Sequence, residues 1–207
     1  MPNFNILRES KPKKTFRVAS VMGKFDLQTE HIKEQFEGNI DLQDDWQIGL
    51  IVGSSGTGKT TIAKELFENA YVTNFKYKAE TILDDMPENV SVEDITKTFN
   101  SVGFSSPPSW LKPYSVLSNG QKMRVDLANA LLREDDLVVF DEFTSVVDRN
   151  VAKIGSYAMQ KAIRKSSKQF IAVTCHHDVQ DWLLPDWVFN TDSMTFQKLE
   201  GQKKNRP

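Results

Sequence analysis

The sequence predicts an α/β fold, a mainly parallel central sheet flanked by helices, and three stretches carry that expectation. Residues 137–140 (LVVF) and 170–174 (FIAVT) are continuous apolar runs of strand length, the pattern of strands covered on both faces. Residues 47–52 form a third apolar run that passes through a glycine-rich loop into a helix over 61–69, with Ile62, Leu66 and Phe67 on one face. Strand, loop and helix in that order open a βαβ unit.

The remaining elements are placed around this frame. A short β-rich run at 16–21 is expected to join antiparallel N-terminal strands. Ser91 followed by Asp94 caps a helix through about Phe99, and Gly103, Pro107 and Pro108 break it, so a small helical subdomain is expected over about 85–125. Residues 1–15 and 201–207 read as flexible basic tails around one domain spanning 16–200, and their charges as solvated surface. Trp182, Trp187 and Phe189 are spaced for a helix end and a following strand, which assigns them to core packing behind the loop at 175–178.

Composition excludes more than it identifies. At 207 residues the chain holds one large domain or two small ones, and 39% hydrophobic with 26% charged residues is ordinary for a globular chain. A net charge of -2 gives no overall pull toward nucleic acid or anionic membrane. Cys175 is the single cysteine, so no internal disulfide is possible, and the opening MPNFNILRESKPKK lacks the apolar core of a secretory signal; a reducing cytoplasm is expected. No apolar run approaches the roughly 20 residues needed to cross a bilayer. Cys175 beside His176 and His177 falls short of the four ligands of a structural zinc site.

The loop is the first stretch that carries chemistry. Gly53, Ser54, Ser55, Gly56, Thr57, Gly58, Lys59 and Thr60 match the P-loop pattern in its required setting between a strand and a helix. Glycines let the backbone turn its N–H groups onto phosphate, and the following helix N-terminus adds partial positive charge. Lys59 is placed to reach the β and γ phosphates and the Thr60 hydroxyl to ligate Mg²⁺, which makes the fold a P-loop NTPase. The apolar run at 137–140 ends in Asp141 and Glu142, at the strand end where ligands of such sheets sit. Asp141 is expected to hold the magnesium and Glu142 to take the proton of the water attacking the γ phosphate.

Three further stretches decide the class. VLSNGQKMRVDLANALL (116–132), FTSVVD (143–148) and TCHHD (174–178) resemble, in order and spacing, the signature, the loop after the catalytic glutamate and the switch histidine of ABC-class ATPases. The resemblance spans roughly 16–196. It implies ATP held between the P-loop of one chain and the signature of another, so that a homodimer forms on ATP binding. Thr61, Ser118, Asn119, Gly120, Gln121 and Asp148 then join the nucleotide site. It further implies an aromatic stacking on adenine, a place taken by Phe25, which otherwise reads as a core residue. His176 is favoured as the switch because it lies nearer the strand end than His177, which stays in play.

The departures from the family pattern also inform. Asn119 stands where the signature has glycine, tolerable in a left-handed or turn conformation that asparagine accepts. Phe143 stands where proline is common. The interval between Thr61 and Gly120 contains no glutamine, although transport ATPases place a metal-contacting one there; Asp84 or Asp85 is the expected substitute. These features favour a non-transport ATPase acting on a partner protein or nucleic acid, with no membrane insertion of its own, loosely like compact ABC ATPases joined to acetyltransferase-like domains. The alternatives are the nucleotide-binding subunit of a transporter and an ATP-sensing module with weak hydrolysis.

Overall fold

The computed structural model describes residues 3–13, 15–27, 32–42, 45–72 and 75–199. The chain runs β1 (Asn3–Ser10), α1 (Phe16–Lys24), β2 (Ile32–Asn39), β3 (Ile48–Val52), α2 (Lys59–Phe67), β4 (Tyr71–Val72), α3 (Val92–Ser101), α4 (Pro107–Trp110), α5 (Asn119–Leu132), β5 (Leu137–Phe140), α6 (Arg149–Arg164), β6 (Gln169–Thr174), α7 (Val179–Leu183), β7 (Trp187–Asn190) and β8 (Thr195–Lys198). Six strands form the central sheet in the order β4-β5-β6-β3-β7-β8, parallel except for the antiparallel β7–β8 edge. β1 and β2 pair antiparallel as a separate two-stranded sheet.

Alternation along the strands explains why the apolar runs are continuous. Ile48, Leu50 and Val52 of β3 join Val138, Phe170 and Ala172 in one core cluster with residues of α3, α5 and α6. Ile51, Val139, Ile171 and Val173 face the other way, into a cluster with Ile62 and Ala63 of α2 and Phe4 and Phe36 of the two-stranded sheet. Both faces of the central sheet are therefore buried, which removes the polar positions a half-exposed strand would show. Trp187 and Phe189 are buried as expected, Phe4 meeting Phe189 edge-on at 5.7 Å.

Two expectations at the N-terminus are corrected. Residues 3–10 are a paired strand, not a tail, because Phe4 gives that strand a face to bury. Residues 16–21 lie in α1 and not in a strand. Thr15 caps this helix by accepting the Val18 N–H at 3.3 Å, and Lys24 sits in its last turn, where the helix dipole favours a cation. The middle segment is helical as expected: Ser91 caps α3, and α3, α4 and α5 pack on one face of the sheet, with α5 continuing to Leu132. The 201–207 tail lies outside the described residues.

The sheet edge at the strand N-termini is fixed by one carboxylate. Asp186 Oδ2 accepts the backbone N–H groups of Gln47 at 2.7 Å and Ile48 at 2.9 Å. Arg164 holds the same carboxylate through two hydrogen bonds of 2.8 and 2.9 Å and reaches the Leu184 carbonyl at 3.0 Å. Asp186→Ala is expected to destabilise the fold by about 3–5 kcal/mol, because it leaves a largely buried guanidinium and two N–H donors unpaired. Urea denaturation of the two proteins checks this.

Candidate functional site: a strand-end nucleotide pocket

Parallel register brings the candidate residues to one edge. Val52 pairs with Thr174, Phe140 with Ala172, and Val72 with Phe140. The segments that follow, the loop from Gly53, the turn from Asp141 and the loop from Cys175, thus leave the sheet side by side at its ligand-binding edge.

The P-loop is shaped by its glycines. Gly56 and Gly58 have φ of 87° and 86°, a left-handed conformation that costs glycine nothing. Gly58 also has no room for a side chain, since a Cβ there would lie 2.4 Å from the Phe36 ring. Lys59 opens α2 and donates from Nζ to the Ser54 carbonyl at 2.6 Å, placing its charge across the loop. Thr57 Oγ1 meets Thr191 Oγ1 at 2.6 Å, and Ser54 N–H donates to Asp192 at 2.9 Å, so the turn after β7 supports the loop from outside. That N–H holds the Asp192 carboxyl below its ordinary range. Arg8 Nη1 donates to Thr61 Oγ1 at 3.4 Å, which brings β1 to the loop as well.

Asp141 ties this loop to the neighbouring strands. Its Oδ2 accepts the Thr60 hydroxyl at 2.9 Å and the Tyr71 hydroxyl, while Oδ1 accepts the Glu142 N–H at 2.9 Å. Burial, then Asp141 itself, raises the Tyr71 phenol, so Tyr71 is held as a donor. Glu142 and Thr144 both have positive φ, 52° and 67°, and between them Phe143 turns into the core and donates its N–H to Val173 O at 2.8 Å. Proline has no such donor, which is a physical reason for phenylalanine here. Glu142 is left exposed beside Asp141.

The signature residues form a helix start. Ser118 caps α5 with a reciprocal pair, its hydroxyl accepting the Gln121 N–H and Gln121 Oε1 accepting the Ser118 N–H. Asn119 is the first residue of α5 and is not among the positive-φ residues, so it is a helical φ, and not the left-handed or turn conformation considered from the sequence, that accommodates asparagine here. Gly120 packs against Val151, 3.0 Å from where a Cβ would stand. Asp148 caps α6 by accepting the Asn150 and Val151 N–H groups.

The other candidates are placed as follows. Burial, reinforced by Arg149, lowers the His176 pKa, with Asp178 and Glu142 acting in the opposite sense. His177 Nε2 lies 3.7 Å from Asp192 Oδ2. Phe25 is 65% exposed at the end of α1, which removes the core alternative. Asp84 accepts from Thr81 and Asp85 accepts the Lys78 and Ala79 N–H groups, each closing a local turn. Among the described residues no contact brings either to Thr60 or Asp141; Tyr71 is the side chain that reaches the latter from that interval. Tyr71, Arg8 and Asp192 are missing from the sequence-based set.

Comparison with known proteins agrees with this geometry. A sequence model of the ATPase family associated with various cellular activities (AAA) matches residues 49–184. The chain is 25% identical over 189 residues to the energy-coupling factor transporter ATP-binding protein EcfA1 of Leuconostoc mesenteroides, covering 72% of this chain and 68% of that protein. It is 30% identical over 105 residues to a probable ATP-binding cassette sub-family F member 3 homolog of Encephalitozoon cuniculi, covering 48% of this chain but only 19% of that relative. The dimeric structure of MJ0796, a bacterial ABC transporter cassette, superposes with a TM-score of 0.66 at 16% identity, covering 96% of this chain and 98% of that one. The chain belongs to this family of P-loop ATPases, as an ABC-class cassette.

The cassette's donor set fits MgATP. Thr60 Oγ1 and Asp141 Oδ2, hard oxygen ligands 2.9 Å apart, stand at the mouth of the P-loop, as magnesium bridging to phosphate requires. Bound there, the metal would neutralise charge on the β and γ phosphates.

Beside Asp141 the cassette has a cavity of about 370 Å³ lined by Phe75, Tyr114, Asp126, Phe140 and Glu142 among others. Burial raises the Asp126 carboxyl to about 6, against hydrogen bonds from Tyr77 and Tyr114 and the charge of Lys122, which lower it. A carboxyl raised on folding is most favourable when protonated. Wild-type stability relative to Asp126→Asn is therefore expected to fall by about 1–3 kcal/mol as pH rises from about 4 to about 6, and to level off above that. Urea midpoints of both proteins across this range test the sign.

Proposed function

We propose that this cassette binds ATP with Mg²⁺, closes as a cytoplasmic homodimer around it, hydrolyses it, and applies the cycle to a partner protein or nucleic acid. The observation that carries the reading is the convergence of Lys59, Thr60, Asp141 and Glu142 at one sheet edge. In the reaction a water oxygen bonds the γ phosphorus, the bond to the β–γ bridging oxygen breaks, and Glu142 takes the water proton as ADP is released. His176, nearer the end of β6 than His177, is taken as the histidine that meets the γ phosphate, and the exposed Phe25 ring as the one that stacks on adenine.

The dimer follows from what α5 leaves open. Ser118 and Asn119 are exposed at a helix N-terminus, an anion-binding end, and Val116 and Val146 beside them are 64% and 67% exposed. A second chain bringing its P-loop nucleotide to Ser118 and Gly120 would satisfy both, with Gln121 and Asp148 holding the two helix starts. Among the described residues no helix is long and apolar enough to cross a membrane. The interval without glutamine supports a non-transport role. The transporter-subunit reading is favoured instead by the name of EcfA1. Affinity capture of the Glu142→Gln protein from its native cell separates the two: an integral membrane protein held under MgATP would carry the second reading.

Lys59→Ala is expected to abolish nucleotide binding, with titration of a fluorescent ATP analogue as the check. Glu142→Gln should keep binding but lose about 10²–10⁴-fold in turnover. It should also accumulate as a dimer with MgATP but not with MgADP, as read by light scattering during size exclusion. A monomer under saturating MgATP would sink the dimer mechanism.

A further inference from the structure

A part-buried polar cluster joins α5 to the segment that follows β4. Asp126 lies eight residues beyond Ser118 on α5, about 12 Å along the axis. Its Oδ1 accepts the Tyr77 hydroxyl and its Oδ2 the Tyr114 hydroxyl, both at 2.8 Å. The two tyrosine rings stack with centroids 4.0 Å apart and planes inclined by 16°, and Phe75 lies 6.0 Å from the Tyr77 ring. Lys122, one turn before Asp126, puts its ammonium 5.5 Å from the Tyr114 ring. Tyr114 comes four residues before Ser118 and Asp126 eight after it, so the cluster grips the chain on both sides of the helix start.

Apolar packing at this place would hold α5 without the cost of burying a carboxylate. What the carboxylate adds is direction: two hydrogen bonds from two separate segments, one to each oxygen, accept a single distance and rotation of the helix. The segment that supplies Tyr77 begins six residues earlier at Tyr71, whose hydroxyl is bonded to Asp141. Tyr71 and Tyr77 thus bond to Asp141 and Asp126, two carboxylates that line one cavity of about 370 Å³.

We propose that Tyr77, Asp126 and Tyr114 are positioning residues that set the α5 N-terminus, and with it Ser118. The inference rests on the dimer reading above, since Ser118 acts there on nucleotide held by the partner copy. Its chemistry concerns geometry alone; no bond to substrate is made by these three side chains.

The test compares Tyr77→Phe, Asp126→Leu and Asp126→Asn, each in the Glu142→Gln background. Asp126→Leu removes both hydrogen bonds; it relieves a part-buried charge but leaves the Tyr77 and Tyr114 hydroxyls without that acceptor, so its melting temperature is expected to fall, and dimerisation is measured well below it. Its affinity for a fluorescent ATP analogue as a monomer should stay within about twofold, yet the MgATP concentration for half-maximal dimer should rise by about tenfold or more. Tyr77→Phe should shift the dimer in the same direction by a smaller factor. Asp126→Asn, which can accept from one tyrosine and donate to the other, should dimerise close to the parent. The inference is overturned if Asp126→Leu and Tyr77→Phe dimerise at the parent's MgATP concentration, or if dimer loss runs parallel to lost nucleotide binding. Failure of the Glu142→Gln parent itself to dimerise overturns the dimer reading and this inference together.

Discussion

The Asp141 carboxylate is the interaction on which the site depends. Three donors converge on its two oxygens: the Thr60 hydroxyl from the P-loop helix, the Tyr71 hydroxyl from β4, and the N–H of Glu142. Each donor belongs to a different piece of chain, and they meet because parallel strands end in register, Val72 beside Phe140 and Phe140 beside Ala172. A carboxylate so placed does two things at once. It orders two oxygens at the strand end, and it fixes where the following residue, Glu142, the proposed general base, must leave the sheet.

The turn after Asp141 shows how that exit is enforced. Positive φ at both Glu142 and Thr144 is unfavourable for residues with a Cβ, so it persists only where surrounding contacts over-determine it. Here those contacts are Phe143, fully buried against Phe140 and Phe170, and its N–H bond to Val173. The buried ring anchors the turn, and the two left-handed residues throw Glu142 outward. A proline in place of Phe143 would have to achieve the same exit without the backbone bond.

How legible the sequence was follows from the range of the interactions involved. β5, β6 and the P-loop unit could be read because their signals are local: two buried faces make an apolar run, and a glycine loop sits in one stretch. The N-terminus was misread because Arg8 to Arg17 looks polar and basic, while the strand is defined by buried Phe4, whose register partner Gly38 lies 34 positions away. Phe16, Val18 and Val21 fit a strand as easily as a helix; the Thr15 cap decides it. Tyr71 was missed because β4 has only two residues and carries no periodicity. Asp192 offers just a polar turn after an apolar strand, and Tyr77 and Asp126 are 49 residues apart, a pairing no local pattern reveals. Asp84 and Asp85 were read as substitutes for the absent glutamine; in the structure each accepts hydrogen bonds from its own loop.

The two edges of the central sheet are built for opposite purposes. At the strand N-termini, Asp186 and Arg164 lock β3, α6 and the chain entering β7 together with short hydrogen bonds and little exposure. At the opposite edge the contacts are between elements that need not move as one: the P-loop leans on the turn after β7, Asp141 on Thr60 and Tyr71, and α5 on two tyrosines across a cavity. Directional polar bonds break and reform in discrete arrangements, whereas interdigitated apolar side chains resist sliding. A bidentate, part-buried ion pair with two backbone donors thus ties the strand N-termini several times over, whereas the opposite edge, where the site stands, is held by single hydrogen bonds between separate elements.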